Sequence, residues 1–222
     1  MRCWPLMIVA FLFLSAAGGL IFAADPAPKE GWKSLFDGKS LAGWKETSFG
    51  GGEGKVSVED GAIILDVGKD LTGVTWAGEH PKMDYELELD ARRLAGNDFF
   101  CGLTFPVGDT ACSFICGGWG GDICGLSSLD GEDGANNETT KTKAFETDRW
   151  YHIRIRVTKN RIAAWIDDEQ LADADIEGRK VNVRFEVDSS QPLGLATWRT
   201  KGAAKNIRWR PLSKDEVPKT KD

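Results

Sequence analysis

The sequence predicts an all-β protein, two antiparallel sheets packed as a sandwich or jelly roll, and three observations carry that prediction. Apolar and polar residues alternate with a period of two, Gly- and Asp-rich turns interrupt the chain at short intervals, and no stretch keeps helical spacing between capping signals. The clearest run is 84–94, where Tyr85, Leu87, Leu89 and Ala91 alternate with Glu86, Glu88, Asp90 and Arg92. As a strand, it buries one face and leaves the other charged.

Taken in chain order, residues 1–24 read as a secretory signal peptide. Arg2 supplies the positive start, residues 6–13 an apolar run and residues 16–24 mostly small residues, with cleavage after Ala23 or Ala24. The apolar run continues through Leu20, Ile21 and Phe22 toward the roughly 20 residues that span a bilayer, so an uncleaved anchor is the rival. Gly18-Gly19 and the Ala23-Ala24-Asp25-Pro26 exit favour cleavage, and Cys3 leaves with the signal. The expected product is secreted or periplasmic, with no membrane partner after cleavage. Residues 25–30 are a linker, 31–212 one domain and 213–222 a charged tail.

The domain opens on Gly31-Trp32-Lys33-Ser34-Leu35-Phe36-Asp37-Gly38, a short apolar strand and a tight turn, after which Leu41 and Trp44 return apolar surface to a core. Strands follow at 55–58, 62–67, 73–76, 84–94, 99–105, 111–116, 122–126 and 150–157. Lys159-Asn160 then turns into a strand at 162–166, Asp167-Asp168 turns into another beginning at Gln170, and further strands fall at 181–187, 193–197 and 205–209. With Gly108-Asp109 as a hairpin turn, Cys101 lies opposite Cys116, Leu103 opposite Phe114 and Phe105 opposite Cys112. Cys101, Cys112, Cys116 and Cys124 then share the apolar face. Export permits disulfides, but directly paired strand residues are awkward partners for one, so buried thiols and at least one disulfide both stand.

A formal net charge of -6 argues against a nucleic-acid partner. Nine Trp and eleven Phe against two Tyr is enough aromatic surface to fill a core and still leave rings for stacking on sugar. Gly117-Gly118-Trp119-Gly120-Gly121-Asp122 is a Gly-flanked Trp beside a carboxylate. The loop from Leu129 to Thr140 gathers Asp130, Glu132, Asp133, Asn137 and Glu138, as a calcium site, a sugar-binding loop or a plain solvated loop would. It lacks the EF-hand pattern, so no cofactor is assigned and calcium remains one reading. His80 reads as a loop residue and His152 as a surface or concave-face residue.

Val58-Glu59-Asp60-Gly61, Asp84-Tyr85-Glu86-Leu87, Trp150 heading an alternating strand, Asn160-Arg161-Ile162 leading to Trp165-Ile166-Asp167-Asp168, and Asn206-Ile207-Arg208 follow the opening motif in a fixed order. From Trp32 to Leu212 this set resembles the 3-keto-disaccharide hydrolase family, long known only as a domain of unknown function. The resemblance implies a concanavalin-like jelly roll whose concave sheet carries a carbohydrate site, and hydrolysis or lysis of oxidised glycosides. Such proteins typically carry Asn-Ser-Gly leading into a strand that ends in Arg, then a Glu-Val-Gln strand. Here Asn97 is kept, the run to Pro106 has no Arg, and 112–116 has no Glu.

A ketone at C3 of a glycoside acidifies the hydrogen at C2, so cleavage needs a base, a stabiliser for the enolate and an acid for the leaving oxygen. With two His in the chain, carboxylates are the expected bases. The candidate site is Asp122 and Glu138 as acid or base, with Asn97, Trp119 and Asn137 binding substrate. Glu186 and Trp198 mark the alternative pocket. The rival functions are a non-catalytic carbohydrate-binding, laminin-G-like module and a structural domain of the cell envelope.

Overall fold

The computed structural model describes residues 31–217, so the expected signal peptide, the linker and residues 218–222 of the tail lie outside the described residues. The chain runs through β1 (Lys33–Ser34), β2 (Trp44–Glu46), β3 (Val56–Glu59), β4 (Ala62–Leu65) and β5 (Leu71–Trp76). The long β6 (Tyr85–Ala95) leads to β7 (Cys101–Val107), β8 (Thr110–Gly118), β9 (Ile123–Ser127) and β10 (Lys141–Thr142). Then come β11 (Tyr151–Thr158), β12 (Arg161–Ile166), β13 (Glu169–Asp175), β14 (Gly194–Trp198) and β15 (Lys201–Pro211). Every pairing is antiparallel. The first sheet has the order β13-β12-β11-β6-β15-β4-β3 with β1 also on β15, and the second β10-β9-β8-β7-β14-β5-β2. The molecule is a jelly-roll β-sandwich.

One continuous core lies between the sheets. Tyr85, Leu87 and Leu89 of β6 meet Leu103 and Phe105 of β7, Phe114 of β8 and Leu126 of β9. Tyr85, though fully buried, donates its hydroxyl to the Pro106 carbonyl at 2.6 Å, which removes the cost of hiding a polar atom. In the opening turn, the Asp37 carboxylate accepts the Lys39 and Ser40 N–H groups, each at 2.8 Å. Buried Trp44 donates its indole N–H to the Leu35 carbonyl at 2.8 Å, closing the motif on itself.

The register expected for the thiols is the one observed: Cys101 opposite Cys116, Leu103 opposite Phe114, Phe105 opposite Cys112. Cys116 also pairs with Cys124 on β9. All four are free and buried, which decides between thiols and disulfides. Burial pushes Cys112 and Cys124 up to about 12 and raises Cys116 as well, so thiolate is scarce at neutral pH.

Residues 181–187 are not the strand expected from their alternation. Val181 makes a single bridge to Leu129, and Phe185–Ser190 forms a 3-10 turn. The segment is a strap over the outer face of the second sheet, where Val183 and Val187 pack with Leu71, Ala111 and Ala196. Beyond the bridge at Val181, Val183 and Val187 rest on a sheet face and Phe185 stays exposed, so alternation alone misassigns the segment. The strands β2 and β10, three and two residues long, are too short to show a period.

On the outer face of the first sheet, carboxylates of β6 stand opposite cations of β11 and β15. Glu86 accepts Arg154 at 2.8 Å, Arg156 at 3.0 Å and also Arg210, while Glu88 accepts Arg208 at 2.7 Å. His152 joins the row through Nδ1 to Asp90 at 2.9 Å and Nε2 to Glu88 at 3.5 Å. Burial alone would raise Glu88, but the bonds from His152 and Arg208 outweigh it and hold it at about 2. Hydrogen bonds to Asp90 and then Glu88 lift His152 to about 9.

Two outcomes follow. Native protein should label slowly at Cys101, Cys112, Cys116 and Cys124 with a thiol reagent, and all four should react after denaturation; fast native labelling of Cys101 or Cys116 would break the register. Because the folded value of His152 lies above 6.5, its stabilisation is full below that pH and fades as pH rises through about 9. With the ring 43% exposed, screening leaves about 1 kcal/mol. Urea midpoints of the parent and His152→Gln should therefore differ at pH 6 and converge by pH 10.

Candidate functional site

Two faces of each strand in the second sheet divide the work. On β8, Cys112, Phe114 and Cys116 point into the core, which leaves Ser113 and Ile115 on the outer face. There they floor a cavity of about 260 Å³. Ser127 of β9, Leu71 of β5 and Trp198 of β14 extend the floor, Asp98, Phe99 and Trp119 come from loops, and Arg184, Glu186 and Val187 from the strap.

The loops are held by a buried guanidinium. Arg93 of β6 donates Nη2 to the carbonyls of Gly121 at 2.8 Å, Asp98 at 3.2 Å and Gly117 at 3.4 Å, and it faces the Phe100 and Phe145 rings. Burial pushes its pKa down, countered by Asp98 nearby. Glycine is required where Arg93 arrives: a Cβ on Gly117 would stand 2.6 Å from Arg93 Nη2, and one on Gly121 2.8 Å from the Asn97 carbonyl. Trp119 between them takes a φ of 49°, a left-handed conformation, and the residue stays 40% exposed.

Asp98 links the loops a second time. Its carboxylate accepts Phe99 N–H at 2.7 Å and Gly120 N–H at 3.4 Å, while its own N–H donates to Thr200 Oγ1 at 3.0 Å. On the strap, Arg184 grips Glu186 with Nε at 3.0 Å and Nη2 at 2.6 Å and reaches Asp133 with Nη1. That fork holds the Glu186 carboxyl below the usual carboxylate range.

Trp119, Glu186 and Trp198 thus line one cavity, and the other sequence candidates do not. Asn97 is exposed beside the lining residue Asp98. Asp122 is exposed, and its carbonyl accepts Lys143 N–H at 2.7 Å. Asn137 pins its own loop, donating to the carbonyls of Leu126 at 2.7 Å and Asp133 at 2.8 Å. Glu138 pairs with Arg179, whose hydrogen bond lowers its pKa. Asp130 accepts Arg179 and Lys180 N–H, Asp133 accepts Arg184, and Glu132 is exposed; among the described residues no group of three or more His, Cys, Asp or Glu is placed to hold a metal ion.

Residues 31–210 match the model of the 3-keto-alpha-glucoside-1,2-lyase-like domain. The chain belongs to that family. It is accordingly a carbohydrate-active domain. No curated protein matches it in sequence. Among solved structures it is similar to a putative glycosyl hydrolase from Parabacteroides distasonis, with 16% identity, 83% of this chain and 95% of that one covered, and a TM-score of 0.53. A carbohydrate binding module from Bacillus subtilis gives 16% identity, coverage of 76% and 95%, and a TM-score of 0.51. A Bacillus subtilis protein with a galectin-like fold gives 11%, 81%, 94% and 0.57. At these identities the likeness is one of fold.

Sequence reasoning passed over Asp98, Ser113, Ser127, Arg93 and Arg184. Ser113 had a usable signal, since thiols facing inward force it outward. Replacing Arg93 by Met should unpair the carbonyls of Gly117 and Gly121 and cost about 2–4 kcal/mol. Urea unfolding measures it; an unchanged midpoint would show that the loops hold themselves.

Proposed function

We propose that this domain cleaves glycosides oxidised at C3 by 1,2-elimination, in the cavity over the second sheet. The observation that carries the reading is the convergence of two indoles, two carboxylates and a guanidinium on one cavity, in a chain of this family. A sugar site needs an apolar ring face beside converging polar groups.

In this reading a carboxylate takes the C2 proton, the C2–H electrons form the enolate of the C3 ketone, and the enolate then expels the C1 oxygen as C1–C2 becomes a double bond. The leaving oxygen takes up a proton, and water adds to the unsaturated sugar afterwards. Glu186 and Asp98 are the carboxylates on the lining, and Arg184 is the lining cation, which has to turn from Glu186 or Asp133 to reach the enolate oxygen. Export to the periplasm or beyond belongs to the same proposal and rests on residues 1–24.

One observation favours the runner-up, a non-catalytic binding module: both oxygens of Glu186 are engaged by Arg184. A 3-keto-glucoside and its unoxidised parent, assayed for aglycone release, separate the two readings. Turnover of the keto form alone is expected, with Glu186→Gln or Asp98→Asn lowering kcat by roughly 10²–10⁴-fold, and Asp122→Asn or Glu138→Gln costing less. Binding of both sugars with turnover of neither would establish the binding module.

A further inference from the structure

Three hydroxyls stand side by side on the outer face of the second sheet. Thr104 of β7 is paired in register with Ser113 of β8, and Ser113 with Ser127 of β9. Each of the three residues is 1% exposed. Thr104 Oγ1 and Ser113 Oγ share one hydrogen bond at 2.8 Å. Ser127 is left over: its Oγ is closed off from bulk solvent and, among the described residues, meets no protein hydrogen-bonding group.

Buried hydroxyls are almost always bonded, because an unpaired one loses its hydration with nothing in return. The neighbour that the ladder offers Ser127 turns its hydroxyl to Thr104 instead, and Ser127 lines the cavity. The cavity is therefore where its partner arrives. A serine hydroxyl turns among staggered rotamers, so it can meet a ligand oxygen without moving the strand. Donor and acceptor are both free, which matches a sugar hydroxyl or a ketone oxygen.

Charge narrows the class of ligand. Arg184 is already shared by Glu186 and Asp133, and Asp98 adds a further carboxylate to the wall. The wall is net negative, so a uronate or a sugar phosphate meets repulsion that a neutral ring does not. Phe99, Trp119 and Trp198 on the same lining supply surface for the ring's C–H groups.

We infer that Ser127 anchors the ligand and sets specificity in this cavity, its hydroxyl pairing with one oxygen of a neutral pyranose. The inference rests on the sugar-site reading above and adds the residue that selects the sugar. The test is equilibrium binding of methyl α-glucopyranoside, its 3-keto form, its monodeoxy analogues and methyl α-glucuronide to the parent and to Ser127→Ala. The variant should melt no lower than the parent, since no protein group loses a partner, and should bind the neutral sugars roughly tenfold more weakly. One monodeoxy analogue should bind parent and variant alike, which names the oxygen. The glucuronide should bind both proteins at least tenfold more weakly than the glucoside. If the parent binds the sugars and Ser127→Ala binds them equally well, or melts several degrees lower, this inference falls and the sugar site stands. A glucuronide bound as tightly as the glucoside also overturns it. Should the parent bind none of these sugars, the reading of the cavity falls too.

Discussion

Strict alternation along β6 is the constraint on which the rest of the structure hangs. Its inward positions, Tyr85, Leu87, Leu89 and Ala91, are fully or almost fully buried and form the middle of the core. Its outward positions, Glu86, Glu88 and Asp90, face arginines and a histidine on β11 and β15. A slip of one residue would exchange these faces and bury three carboxylates against Phe114 and Leu126, so the register is fixed from both sides. The same phase runs on past Ala91 to Arg93. There a charged residue occupies an inward position, and its guanidinium holds the loops that carry Asp98 and Trp119. One strand thereby sets the core, the ion-pair ladder and the edge of the cavity.

Burying a guanidinium that bonds to carbonyls and, among the described residues, forms no salt bridge is costly, and the fold offsets it locally. The Phe100 and Phe145 rings lie beside it, and Gly117 and Gly121 let it approach the backbone. Trp119 is consequently held on a short leash. A side chain held this way has little freedom left to lose, which is the general advantage of a preorganised cavity wall.

Much of the fold was legible because the strongest patterns were long. The periods at 84–94 and 150–157 became β6 and β11, and the Gly108-Asp109 turn gave the pairing of β7 with β8 to the residue. The strap was illegible because Val181, Val183 and Val187 fall at strand spacing, while only Val181 bridges a neighbour and Val183 and Val187 pack on a sheet face. Of the residues singled out from sequence, Trp119, Glu186 and Trp198 line the cavity. Asp122 and Glu138 drew attention as acids in polar loops, but sequence could not show that Glu138 would meet Arg179, some 40 residues on. Arg93 had a signal in its phase, as the single cation among inward positions of β6.

The departures from the family's pattern acquire a physical sense once the strap is in place. Where such proteins typically bring an Arg and a Glu on consecutive strands, β7 and β8 here turn Thr104, Ser113 and Ile115 to the outer face. A guanidinium and a carboxylate nevertheless reach the cavity, as Arg184 and Glu186 on the strap. Asp133, from the polar loop after β9, holds Arg184 from the other side, and Asp130 accepts Lys180 N–H at the strap's entrance at 2.9 Å. The acidic loop that composition alone offers as a calcium site thus seats the strap. Charge sits above the sheet and neutral hydroxyls below, so a ligand between them meets polar groups of different kinds on its two sides.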